Sequence, residues 1–133
     1  MSRSEQMTRI RSKNTKPEML LRRALWRRGL RYRIHTNLLG SPDFAFPGKR
    51  VAVFVDGCFW HGCPEHYVAP KANPEFWRAK VERNLQRDAS VDAQLQREGW
   101  IVIRVWEHQV RSELEATVAF LTEVVRRPTG TLE

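Results

Sequence analysis

A chain of 133 residues with 41% hydrophobic content and five tryptophans has enough apolar material for one domain with one modest core. Its formal charge of +8 and pI of about 10.3 favour a polyanionic partner, because each cation laid on a phosphate releases condensed counterions. With no eighteen-residue apolar run and no signal-peptide core behind MSRSEQ, neither a membrane-spanning helix nor secretion is expected. The expectation is a cytoplasmic protein, associated with the nucleoid if its polyanion is DNA.

Residues 1–16 (MSRSEQMTRIRSKNTK) are polar and basic and read as an arm ahead of a single domain over 17–133. "TKPEMLLRRALWRRGL" opens with a capping-box pattern, Thr15 and Glu18, with Pro17 in the first turn. Met19, Leu20, Leu21, Ala24 and Leu25 then line one face of a helix, and Gly29 supplies its stop. "RYRIH" alternates as a short strand should. "DFAF" and "RVAVFV", separated by "PGK", predict an antiparallel hairpin. Residues 75–97 carry Trp77, Val81, Leu85 and Leu95 near fourfold spacing, the mark of an amphipathic helix. "WIVIRVW" is a continuous apolar run suited to a buried strand, and residues 111–126 form a closing helix before a fraying terminus. The predicted order is helix, three strands, a metal-rich loop, helix, strand and helix. That order describes an α/β domain with a mixed sheet and helices on its faces.

Two cysteines in a cytoplasmic chain argue against a structural disulfide. Cys58-x4-Cys63-x2-His66 instead gathers three soft or borderline ligands in one loop. A tetrahedral zinc takes four, and His108, just past the buried strand, is the candidate for the fourth. Thiolate with imidazole suits zinc better than magnesium. A zinc ligated wholly by protein is structural, and here it would contribute directly to folding a loop too short to hold itself. His61 is left over from this set.

Asp43 begins the first hairpin strand and Asp56 ends the second, so both fall at the open mouth of the hairpin. Carboxylates gathered there suit Mg²⁺, which prefers oxygen ligands and bridges to substrate phosphates. Turn chemistry in Ser-Pro-Asp explains Asp43 equally well on its own. With His61 nearby and a basic surface around it, phosphodiester hydrolysis is the sharper expectation.

The stretches "RSKNTKPE", "SPDF", "VFVDGCFWHGCPEH", "FWRAKVERNLQRD" and "GWIVIRVWEH" resemble the very short patch repair (Vsr) endonucleases, over about residues 5–110. The resemblance implies a restriction-endonuclease-like core of the PD-(D/E)xK type with an added structural zinc. It places the catalytic aspartate on Asp43 and the water-activating base on His61. The zinc ligands fall on Cys58, Cys63, His66 and His108. Phe59, Trp60 and Trp77 become an aromatic wedge for the base stack, with Met7 of the arm inserting in the same region. Unstacking a base step costs a few kcal/mol, least at a mismatch, so selectivity can arise from the deformation itself.

The chain departs from the nuclease pattern. No lysine follows Asp56, whose neighbours are Gly57 and Cys58, and the residue before it is Val55, which could serve magnesium only through its backbone carbonyl. The lysine's role would pass to His61. Asp56 is then expected beside the metal. Asp88, on the helix face of Trp77, is a candidate to orient a histidine or a basic residue, although pairing with Arg83 or Arg87 explains it equally. Glu18 is accounted for by the capping box, while the family places an acid here near the active site.

The resemblance implies a monomeric, Mg²⁺-dependent DNA mismatch endonuclease that nicks 5′ of the thymine in a T:G mismatch, with contacts to other mismatch-repair proteins left open. The alternatives are an endonuclease of the same fold with a different DNA target and a non-catalytic zinc module that only binds DNA.

Overall fold

The computed structural model describes residues 16–34, 36–58, 63 and 71–127. Four α-helices and three strands are described: α1 (Lys16–Arg27), β1 (Phe44–Phe46), β2 (Val51–Asp56), α2 (Pro74–Arg97), β3 (Ile101–Trp106), α3 (Glu107–Ser112) and α4 (Leu114–Arg126). Among them no helix is long and apolar enough to cross a membrane.

α1 buries Leu21 and Leu25 one turn apart, and it ends as its sequence requires. Gly29 takes φ +87°, its N–H bonds the carbonyl of Trp26 at 3.0 Å, and the N–H of Leu30 bonds that of Leu25 at 3.1 Å. This is the Schellman closure, and Leu25 and Leu30 both belong to the core cluster beneath it. α2 ends in the same way at Gly99, with the N–H of Trp100 reaching Leu95 at 2.9 Å.

The sheet has the order β1-β2-β3. β1 runs antiparallel to β2, with Phe44 opposite Val53, and β3 runs parallel to β2, with Asp56 opposite Trp106. The hairpin connection is a 3₁₀ turn at Pro47–Lys49, closed by Arg50 in the left-handed region at φ 55°. A parallel pair needs a long crossover, and α2 supplies it.

Strand alternation sends Phe44, Phe46, Val51, Val53, Ile103 and Val105 to one face, against Leu21 and Leu25 of α1, Val110 of α3 and Leu121 of α4. The opposite face is smaller: Phe54 packs there with Val91 and Leu95 of α2. Because both faces are covered, β2 reads as an unbroken apolar run (VAVFV).

Three expectations need correction. Of "RYRIH", residues 31–34 are described, and they contribute one isolated bridge, Arg33 to Ala45, and no strand, beside a β1 of only three residues. The closing helix over 111–126 is two helices broken at Glu113, and the first starts directly after β3 because the Gln109 side chain accepts the N–H of Trp106 at 2.8 Å. Leu85 of the predicted apolar stripe is 44% exposed; α2 buries Val81, Val91 and Leu95. Thr15 of the predicted capping box lies outside the described residues, and Glu18 is buried with its carboxylate accepting Arg22 Nη1 at 2.8 Å.

The segment leading into Asp43 is pressed against α2. Gly40 takes φ +78°, and a Cβ there would meet Val91 Cγ1 at 2.5 Å. Gly40→Ala combines backbone strain with this overlap and should lower stability by roughly 2 kcal/mol, measured by urea denaturation.

Candidate metal centre and active site

The parallel register decides which loop residues meet. Asp56 and Trp106 are paired at the ends of β2 and β3, so residues two positions beyond each end, Cys58 and His108, emerge side by side. Cys58 Sγ lies 3.3 Å from His108 Nδ1, and Cys63 Sγ lies 3.5 Å from the same nitrogen. The Cys63 N–H donates to the Cys58 carbonyl at 2.8 Å, turning the second thiol back toward the first. Glu107 Oε1 accepts the Cys58 N–H at 3.3 Å and ties the loop to α3.

The ligand atoms of Cys58, Cys63 and His108 lie within 4.8 Å of one another. A tetrahedral centre with Zn–S near 2.3 Å and Zn–N near 2.0–2.1 Å separates sulfur from nitrogen by about 3.5 Å, so the group fits such an ion. Both cysteines are buried and unbridged. Burial pushes the Cys58 thiol above its ordinary pKa, and the neighbouring Cys63 adds to the rise. By its geometry the group could hold a metal, whose binding would displace those protons. His66, expected as the fourth ligand, lies outside the described residues.

Asp43 sits where β1 and β2 part. Its N–H extends the ladder to the Val53 carbonyl at 3.0 Å, and its Oδ2 accepts the Val55 N–H at 2.6 Å. The N–H and C=O of one strand residue point to the same edge, so the Val55 carbonyl faces the side on which Asp43 stands. Asp56, one residue on, turns the other way. Its carboxylate accepts Arg104 Nη1 at 3.0 and 3.2 Å. Asp88 also faces Arg104, at 3.6 Å.

A model of the DNA mismatch endonuclease Vsr family matches residues 1–66, which include Asp43 and both cysteines. The Escherichia coli DNA mismatch endonuclease Vsr is 35% identical over 127 residues, covering 92% of this chain and 80% of that protein. The chain belongs to the Vsr family. Other Vsr-like relatives are the type II nicking enzymes V.NmeDIP of Neisseria meningitidis, 43% identical over 96% of this chain and 88% of the relative, and V.NaeI of Lentzea aerocolonigenes, 42% identical over 92% and 76%. The protein is thus a Vsr-family DNA endonuclease, of a family that acts on DNA mismatches.

Within this Vsr-family chain the structure brings together Cys58, Cys63 and His108, and separately Asp43 and Val55. Glu18 is buried beside Arg22 in the first turns of α1. Trp77 is half-buried at the start of α2, with the exposed ring of Phe76 edge-on at 5.1 Å. His61, Phe59, Trp60 and Met7 lie outside the described residues.

Sequence reasoning overlooked Arg104 and Asp92. Arg104 Nε donates to both Asp92 oxygens, at 2.9 and 3.0 Å. Two signals were available: a lone arginine inside "WIVIRVW", and aspartates at 88 and 92, one helical turn apart.

The Cys58–Cys63–His108 geometry predicts that the protein purifies with a bound transition metal. Cys63→Ser should lose it, by elemental analysis, and unfold at a lower temperature in a thermal melt, since metal binding to such groups is folding free energy.

Proposed function

We propose that this protein is a Mg²⁺-dependent mismatch endonuclease that nicks duplex DNA 5′ of the thymine in a T:G mismatch. The observation that carries the proposal is the short contact between Asp43 Oδ2 and the Val55 N–H at the open end of the sheet. It holds a carboxylate and the Val55 backbone carbonyl at one sheet edge, on the strand that runs directly into the cysteine loop. A magnesium ion bound by Asp43 and the Val55 carbonyl would supply Lewis-acid stabilisation of charge at the scissile phosphate. His61 is the proposed base that takes the proton of the attacking water. A hairpin leading into a parallel third strand is compatible with a PD-(D/E)xK-type core.

Cys58, Cys63, His66 and His108 are the proposed zinc ligands. With all four positions filled by protein, zinc holds the loop and takes no part in the chemistry. Phe59, Trp60 and Trp77 are proposed to enter the base stack, with Met7 of an arm spanning residues 1–16 alongside. The domain over 17–133 would work as a cytoplasmic monomer. Asp56, Asp88 and Glu18 would act by supporting the site: the first two face Arg104 and the third faces Arg22.

A second reading is favoured by the names of the relatives. V.NmeDIP and V.NaeI, called type II nicking enzymes, are more similar to this chain than the Escherichia coli Vsr protein is. The target could then be set by flanking sequences unlike those of that relative.

Labelled duplexes with a T:G pair in several flanking contexts, and their T:A twins, separate these readings. Mismatch-dependent nicking 5′ of the thymine with Mg²⁺ is expected, and equal cutting of the matched twins would refute mismatch recognition. Asp43→Ala should slow nicking by at least about 10³-fold, since the charge stabilisation at stake is several kcal/mol. Undiminished nicking by that variant would remove Asp43 from the chemistry.

A further inference from the structure

Arg104 stands in the middle of β3, directly opposite Phe54 of β2 in the parallel ladder. Its guanidinium lies 4.0 Å from the centre of the Phe54 ring, which leaves the planar edge to serve three carboxylates. Nε and Nη2 engage Asp92, the latter at 2.8 Å from Oδ1. Nη1 reaches both oxygens of Asp56 and lies 3.6 Å from Asp88. Burial alone would lower the pKa of the guanidinium, yet hydrogen bonding to Asp92 and the charges of all three aspartates together raise it, so the clamp keeps its charge.

The parts joined are the ones the reaction needs aligned. Asp56 lies between Val55, whose N–H holds the Asp43 carboxylate, and Gly57–Cys58, where the metal-binding loop begins. Consecutive residues of β2 are thus tied to two different partners, Val55 to Asp43 through its N–H and Asp56 to Arg104 through its carboxylate. Asp88 and Asp92 belong to α2, the helix that carries Trp77.

We propose that Arg104 is a positioning residue for strand scission: bonded to Asp56 and to Asp92, it sets the angle between the end of β2 and α2, and thereby the place of Asp43 and Val55. The proposal rests on the reading of Asp43 and Val55 as the magnesium site. Lysine cannot replace it fully, because an ammonium group serves one carboxylate as a point charge whereas the guanidinium fork spans two at once.

The test uses the full chain with a T:G duplex, comparing wild type, Arg104→Gln, Arg104→Lys and Asp92→Asn. Single-turnover nicking rate, the Mg²⁺ concentration for half-maximal rate, DNA affinity in Ca²⁺ and thermal midpoint are read for each. Arg104→Gln should lower the rate about 10–100-fold and raise the Mg²⁺ requirement, as loss of supporting partners does, while DNA affinity changes little. Arg104→Lys should recover part of the loss, and Asp92→Asn should show a smaller loss in the same direction. A folded Arg104→Gln with a lower midpoint but wild-type rate and Mg²⁺ requirement overturns the proposal and leaves Arg104 as a purely structural tie. If Arg104→Gln does not fold, Asp92→Asn decides by the same two readouts. A wild-type protein that nicks no T:G duplex with Mg²⁺ refutes the underlying reading, and the proposal falls with it.

Discussion

The parallel pairing of β2 with β3 is the constraint on which the rest of the molecule depends. With Asp56 opposite Trp106, the residues just past both strands emerge at one end of the sheet, and Cys58 meets His108 across fifty positions of sequence. A register shift of one residue would turn the side chains of a whole strand to the opposite face. It would send Arg104 into the apolar face and withdraw Ile103 and Val105 from it. Register is therefore held strongly by burial, and the candidate site inherits that precision at no further conformational cost.

The two faces of the sheet divide the labour. The larger, packed on α1, α3 and α4, is built on the wide apolar cluster, and the buried polar side chains on those helices are Glu18, Arg22, Thr117 and Thr122 among the described residues. The smaller face, under α2, combines a short apolar contact at Phe54, Val91 and Leu95 with the Arg104 cluster. A buried ion pair rarely improves on an apolar contact of equal volume, while breaking one strands a charge and costs about 3–5 kcal/mol. The cluster is thus better explained by the definite geometry it imposes than by stability. An apolar contact tolerates sliding; three carboxylates around one planar fork do not.

Part of the positive charge is also engaged by the protein's own carbonyls at the surface. Arg31 Nη1 donates to the Trp26 carbonyl at 2.9 Å, Arg126 Nη2 to that of Arg28 at 2.6 Å, and Lys49 Nζ to that of Arg127 at 3.4 Å. These carbonyls lie at the C-terminal ends of α1 and α4, where exposed oxygens and the helix dipole favour cations. A net charge of +8 is still a statement about a polyanionic partner, but these three cations already have a structural use at the end of the domain away from Asp43.

Local chemistry made much of this legible in the chain itself. Gly29 as a helix stop, the hairpin around "PGK", the long helix from residue 74 and the grouping of Cys58 with Cys63 all depend on residues close in sequence, so periodicity, turn residues and ligand spacing reveal them. What followed from long-range pairing was harder to see. "RYRIH" has a strand pattern, but its described residues 31–34 form a single bridge to a β1 three residues long. Asp56 looked like a partner for Asp43, whereas strand alternation turns its carboxylate to the opposite side, toward Arg104. Arg104 passed unnoticed within an apolar run, since its partners at 88 and 92 lie on another element and only the fold brings them to it. Sequence alone determined which residues could bind metal and which segments could be helix or strand, as those properties reside in side chains and their nearest neighbours. Tertiary structure decided which carboxylate faces which cation, because that depends on register and on the face each strand presents.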